Sequence, residues 1–498
     1  MRGGSVGEGF AWASAGRLSL QVANLAALTI TSRFITPAEF GLFAPVVILG
    51  AFVYGASEGA FATALMQRVD LKDDHIRVSF WASATTALVT TTVLIASAPL
   101  IERAFGFPGL AGVIAVASLI LPARLISAVP TALLQRQMRF RELASVTLFT
   151  AIAGKIIPTV VLAVRGFGEW ALVTGYLAQA YLEVMILLYL APPRIGWPSE
   201  WQSARDILSF GGRFTAIQSV NQMAQNIDNI IVGRLLGPAA LGFYSRVFAL
   251  MMLPVNLIGS SAQQVLFPRF SRLQQDKSAL RLEMHLALDL VTGLILPLSA
   301  LLAIVTDSFV LLVLGESWSP IIVPTRILFA MVSFRIGYKI TETVAFATAS
   351  LTPALIRQAC YAGLIALGAF IGSRWDLTGV AAGVGLALAI FYFSSLQAAL
   401  RLVDGGWQTI ARLYARGILV TILAAGPAAV IGAYTGQSLH ARVAADLGAC
   451  IVFVGVMALI LFKGPRALAG ASRDVLHRVV TRGTPTVKAP RAPTPAEI

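Results

Sequence analysis

Eight basic side chains (Arg17, Arg124, Lys155, Arg213, Arg246, Arg326, Arg335 and Lys339) fall inside stretches that are otherwise strongly apolar, accompanied by five acids: Glu58, Glu183, Asp228, Asp289 and Glu342. A charge at the centre of a bilayer costs about 2.5–3.5 kcal/mol on insertion scales. Eight lipid-facing cations would therefore cost on the order of 20 kcal/mol, more than the whole stability of a typical fold. They must face one another, a watery cavity or the headgroups. Arg17, Arg213 and Arg246 lie within about two turns of a predicted span end, a distance that snorkelling covers. Lys155, Arg124, Arg335 and Lys339 are harder to place at an interface. Arg335 and Lys339 share a helix face, with Glu342 one turn further on. This group reads either as a structural ion cluster or as the wall of a cationic cavity, and the excess of cations over acids favours the cavity. A matching solute carries negative charge and hydroxyls.

The stretch "GGRFTAIQSVNQMAQNIDNIIVG" is the most polar of the apolar-bounded segments. Helical spacing lines up Gln218, Asn221, Gln222, Gln225 and Asn229 on one stripe. Amides of this kind bind sugar hydroxyls and also join helices. The substrate-cavity candidates are therefore Arg124, Lys155, Arg213, Arg246, Arg335, Lys339, Gln218, Asn221, Gln222, Gln225 and Asn229. Asp228, Glu58 and Glu342 are the candidates for a coupling ion or proton, with an ion pair to a neighbouring helix as the competing role for Asp228.

The elements that must position these residues are membrane helices. Of the 498 residues 57% are hydrophobic and only 12% charged, against roughly 25% charged in soluble domains. The mean hydropathy is +0.78. Apolar runs of about 20 residues, the length of a transmembrane helix, recur along nearly the whole chain. Reading them against charged and Pro/Gly breaks predicts about fourteen spans. Lys and Arg then divide 24 to 6 between alternate sides, with both termini on the richer, cytoplasmic side. The net charge of +14 is spread over these short loops and the tail, which argues against nucleic acid. The first apolar stretch, residues 10–32, is too long for a signal core and reads as the first span.

One motif occurs twice. "RFITPAEFGLF" at 33–43 returns as "RLLGPAALGFY" at 234–244, so that Arg33, Pro37, Ala38 and Gly41 match Arg234, Pro238, Ala239 and Gly242 at an offset of 201 residues. Gln21 and Gln222 keep the same register. The offset moves span one onto span seven. Six spans per copy is even, so the repeats are parallel. The expected fold is an all-α integral membrane protein made of two parallel-repeat six-helix bundles, residues 1–194 and 207–402. A helix pair at 410–464 and a basic, largely disordered cytoplasmic tail at 465–498 complete it. Each repeated motif is expected to be a short outside turn, with Arg33 and Arg234 as ordinary interface anchors.

Catalytic signatures are missing. The Gly-x-Ser-x-Gly strings around Ser5 and Ser57 lack a strand–turn–helix context. There is no Walker A motif, and Cys360, Cys450 and the four His residues have no metal-ligand spacing. No cofactor, metal or enzymatic activity is predicted.

The strings "GASEGAFATALMQR", "ALLQRQMRFREL", "GFGEWALVTGYL" and "NIDNIIVGRLLGPAALGFYSRVFALMMLPVN", followed by "VLFPRFSRLQ", resemble bacterial polysaccharide flippases. These form the Wzx-like branch of the multidrug/oligosaccharidyl-lipid/polysaccharide exporter superfamily, with colanic-acid and succinoglycan exporters the nearest in pattern. The resemblance covers about residues 10–400. It implies a V-shaped pair of bundles around a central cavity in the bacterial inner membrane. The substrate it implies is an undecaprenyl-pyrophosphate-linked oligosaccharide, turned over by alternating access during exopolysaccharide or lipopolysaccharide synthesis. The expected unit is a monomer working beside a polysaccharide polymerase and glycosyltransferases. A drug/cation antiporter of the same superfamily would favour an acidic, aromatic pocket. A glycan polymerase or ligase would carry a long outside loop, and a non-transporting scaffold gives no reason for the buried charges.

Overall fold

The computed structural model describes residues 6–67, 71–193, 196–197, 201–433 and 439–462, with side chains described except at 6–18, 51–64, 67, 201–221, 223–224, 260–261, 351, 433 and 439. No strand occurs among the described residues. The chain runs α1 (Val6–Thr31), α2 (Pro37–Gln67), α3 (Asp73–Phe105), α4 (Leu110–Ala117), α5 (Ile120–Arg136), α6 (Phe140–Phe149), α7 (Ile157–Val164), α8 (Glu169–Leu190) and α9 (Trp201–Pro254). It continues with α10 (Ser260–Arg272), α11 (Lys277–Leu290), α12 (Leu296–Ile304), α13 (Thr306–Val313), α14 (Ile322–Ala330), α15 (Val332–Ala347), α16 (Leu351–Gly372), α17 (Asp376–Leu402), α18 (Trp407–Ala433) and α19 (Leu439–Phe462).

Among the described residues, ten helical stretches are long and apolar enough to cross a bilayer, and Ser19–Thr31 and Pro37–Gly50 are shorter apolar helices. One of the ten, Thr352–Leu402, takes in α17 and all of α16 but its first residue. The protein is thus all-helical and crosses the membrane many times.

Local sequence explains the breaks. Thr36 and Glu39 form a capping box before α2: the Thr36 amide and hydroxyl donate to Glu39 Oε2 at 2.6 and 2.9 Å, and the Glu39 amide reaches back to Thr36 Oγ1. Pro37 opens the helix, where its missing N–H costs nothing. In the second copy of the motif α9 is broken at Gly237, with φ 89° and ψ −179°, a conformation that suits glycine alone. The π-helical turns Thr150–Ile156 and Val291–Ile295 end just before Pro158 and Pro297. Each proline removes an amide from the i→i−4 ladder, and the ladder widens ahead of it.

The described residues form two compact units. One is drawn from Met1–Leu257, Thr306–Leu328 and Leu355–Phe391, the other from Ile258–Val305, Phe329–Ala354 and Tyr392–Ile498. Within the first unit, the two copies of the repeated motif lie against each other. A Cβ built on Gly41 would run into the Pro238 carbonyl, and one built on Gly242 would run into the Pro37 carbonyl. Only residues without a side chain allow that approach, and they sit at equivalent positions of the two copies. Phe40 and Phe243 pack edge-on against fully buried Trp318, whose indole N–H donates to the Ser32 carbonyl at 3.0 Å.

Arg33 does more than anchor an interface. Its guanidinium donates to the Leu312 carbonyl at 2.8 Å, capping the C-terminus of α13, where a cation meets the free carbonyls and the negative end of the helix dipole. Arg234 lies beside Gly106, just past the C-terminus of α3.

In the second unit α12, α18 and α19 enclose a core of Leu301, Val420, Ala424, Ala428, Ala449 and Phe453. Beside it Arg416 pairs with Asp289, and the Tyr414 hydroxyl is hydrogen-bonded to that of Tyr392 at 2.5 Å.

Candidate functional site

Lys155 stands in the π-helical turn between α6 and α7. Glycines press that turn onto α8. A Cβ on Gly154 would lie 2.7 Å from the Gln179 Cα, and one on Gly175 would strike the Thr159 hydroxyl. The contact sets the Lys155 ammonium 4.4 Å from the centre of the Tyr176 ring and 3.5 Å from Asn24 Oδ1. From α9, the Arg246 guanidinium lies 4.4 Å from the centre of the Phe40 ring. Both cations line one cavity of the first unit, of about 330 Å³. Gln21, Asn24, Thr159 and Asn256 also line it, and no carboxylate does so among the described residues.

Two cations thus share a cavity in which no counter-ion is found among the described residues. Aromatic faces offset part of the cost, about 0.5–2 kcal/mol each. The Arg246 Nε has no hydrogen-bond partner among the described residues. Half-buried charge of this kind favours an anion with hydrogen-bond acceptors, and the amides beside it are suited to hydroxyl groups.

The other sequence candidates have different surroundings. Arg124 forms a 2.9 Å ion pair with Glu183 and lines a neighbouring apolar cavity of the first unit. Buried Asp228 accepts from the Tyr244 hydroxyl at 2.8 Å and from the Asn229 backbone amide at 2.9 Å. The predicted amide stripe spans three environments, with Gln222 half-buried, Gln225 exposed and Asn229 buried. Arg335, Lys339 and Glu342 lie on α15 in the second unit, where Glu342 accepts from the Ser395 hydroxyl at 3.0 Å. The side chains of Glu58, Arg213, Gln218 and Asn221 lie outside the described residues. Sequence reasoning missed Tyr176, Asn24, Gln21 and Asn256. One signal was available: Gln21 is the repeat partner of Gln222, already marked as a candidate.

A family model described as polysaccharide biosynthesis protein matches residues 30–323. The chain belongs to that family. It is 24% identical over 317 residues to the lipopolysaccharide biosynthesis protein WzxC of Escherichia coli K12, covering 63% of this chain and 64% of that protein. It is 25% identical over 319 residues to the teichuronic acid biosynthesis protein TuaB of Bacillus subtilis 168 (62% and 65% covered). The succinoglycan biosynthesis transport protein ExoT of Rhizobium meliloti 1021 is 25% identical over 292 residues (58% and 58%). The matched stretch is less than two thirds of the length of each of these relatives.

Among solved structures, the lipid II flippase MurJ in an inward closed conformation matches with a TM-score of 0.73 at 12% identity, over 94% of this chain and 99% of that one. An inward-facing multidrug resistance transporter of the MATE family, in the MOP superfamily, matches at 0.62 and 15%, over 78% and 98%. These likenesses give the family member a MurJ/MATE-like fold.

Proposed function

We propose that the protein is a flippase, which moves an undecaprenyl-pyrophosphate-linked oligosaccharide from the cytoplasmic to the periplasmic leaflet of a bacterial inner membrane during surface polysaccharide synthesis. The observation that carries this reading is the cavity of Lys155 and Arg246, cationic and amide-rich, in a chain of the polysaccharide biosynthesis family. A pyrophosphate linkage bears a negative charge on each phosphoryl group and acceptors all round. Lys155 and Arg246 donate charge-assisted hydrogen bonds to it, while Gln21, Asn24 and Asn256 serve the first sugar. No bond is made or broken, so the protein acts as a transporter and not as an enzyme.

Fourteen crossings, arranged as the lobes 1–194 and 207–402 with the extra pair 410–464, rock about the cavity while both termini stay in the cytoplasm. Arg213 and the amides of α9 extend the polar path as the lobes move. Asp228, Glu58 and Glu342 are the groups that a coupling ion or proton would use. The unit is a monomer, supplied by glycosyltransferases and drained by a polymerase.

Deletion in the native host is expected to lower surface polysaccharide and to accumulate the lipid-linked precursor. Normal polysaccharide without accumulated precursor, in a strain with no second flippase, refutes the reading. Lys155→Gln and Arg246→Gln each remove a charge-assisted contact of about 1.5–3 kcal/mol, or roughly 10–100-fold in affinity. Unchanged export at normal protein level removes the cavity from the transport path.

A further inference from the structure

Next to the cationic cavity lies a second, apolar one of about 290 Å³, within the same unit. Val46, Val47, Gly50, Leu94 and Leu121 of α2, α3 and α5 are among its walls. The two cavities share Phe43 and Tyr176, whose ring centres are 5.1 Å apart. Tyr176 therefore turns one face to Lys155 and borders the apolar space as well. A Cβ built on Gly50 meets nothing within 4 Å, so the neighbouring side chains leave this wall open. Protein interiors are normally packed to crystal-like density, and an apolar space of this size is room for an apolar guest. The one charged residue among its described lining, Arg124, is already paired with Glu183, which leaves the cavity no demand for a second anion.

We infer that the apolar cavity receives the phosphate-proximal isoprene units of the lipid carrier, while the diphosphate sits at Lys155 and Arg246. The inference rests on the flippase reading and deepens it. An anion with an apolar chain leaving the same phosphorus matches two adjoining cavities, one cationic and one apolar, with an aromatic pair at the corner. The cavity holds only a short length of chain, so the remainder lies in the bilayer. Recognition then depends on the first isoprene units and not on the total length of the carrier.

The test uses the full chain in phosphatidylcholine nanodiscs, with farnesyl diphosphate bearing a diazirine on its terminal isoprene as the probe. Labelling is mapped by mass spectrometry, with inorganic pyrophosphate as competitor. Adducts are expected on the segments around Gly50, Leu94 and Leu121, and excess pyrophosphate is expected to suppress them. Gly50→Leu fills the cavity and is expected to lower the labelling by roughly tenfold while leaving pyrophosphate binding unchanged. Leu94→Trp fills it from α3, in case the first variant folds poorly. Adducts in the cavity that pyrophosphate does not suppress identify a pocket for bilayer lipid and overturn the inference alone. Adducts elsewhere that pyrophosphate does suppress also overturn it and leave the flippase reading standing. Pyrophosphate binding that is absent, or unaffected by Lys155→Gln, overturns both.

Discussion

Adding one methyl group to Gly41 or Gly242 should have the opposite effect from adding it to Gly50 or Gly112. All four glycines lie in helices. In an open helical position Gly→Ala stabilises by about 0.4–1 kcal/mol, through propensity and a less free unfolded chain. A Cβ at Gly50 or Gly112 has nothing within 4 Å, so this gain should be realised. At Gly41 the new carbon would overlap the Pro238 carbonyl, and at Gly242 the Pro37 carbonyl. These obstacles are backbone, which cannot rotate away, and overpacking of this kind costs about 1–3 kcal/mol. At roughly 2 °C per kcal/mol, the lower end suited to a long chain, Gly41→Ala and Gly242→Ala should each lower the melting temperature by about 2–6 °C. Gly112→Ala should raise it by about 1–2 °C. Because both methyls wedge the same contact, the double variant should cost less than the sum of the singles. The assay is thermal unfolding of purified protein, followed by size-exclusion chromatography with fluorescence detection. A Gly41→Ala protein as stable as Gly112→Ala, or strict additivity of the pair, refutes the interlocked turns.

Arg33→Gln should uncap α13 and increase amide exchange in its last turn, whereas Gly112→Ala should not; equal protection in Arg33→Gln removes the capping role. Arg416→Met removes the cation paired with buried Asp289 and should destabilise by about 3–5 kcal/mol, with Arg416→Met/Asp289→Leu recovering most of the loss, as read by unfolding titration. Asp276 caps α11, and the Ser278 hydroxyl, then the Ala279 amide, hold its carboxyl below the usual carboxylate range. Its folded value lies below the unfolded one, so the cap is fully formed above about pH 4 and is lost as the pH falls through the folded value. Amide exchange at Ser278 and Ala279 should show this loss of protection, and Asp276→Ala should abolish the pH dependence.

Charge in an apolar run is a strong signal because its cost is large, which is why Lys155 is legible in the sequence as a candidate, whereas Arg246, near a predicted span end, has a snorkelling alternative. The same signal does not reveal whether a cation is already paired. Arg124 finds Glu183 at a separation of 59 residues, and Arg416 finds Asp289 at 127. Such partners come from helices whose rotation no local pattern specifies. Periodicity marked the amides of α9, yet Gln222, Gln225 and Asn229 differ in burial, because a stripe fixes a face and not what covers it. The repeated Pro–Gly motif was legible as punctuation, and a turn needs nothing further from it. What the alignment of two copies could not convey is that Gly41 and Gly242 are small for each other's sake. Each glycine is required by the backbone of the other copy, so the constraint belongs to neither turn alone. Local reasoning recovers a residue when its own element sets its cost, and loses it when the cost is set by a partner some two hundred residues away.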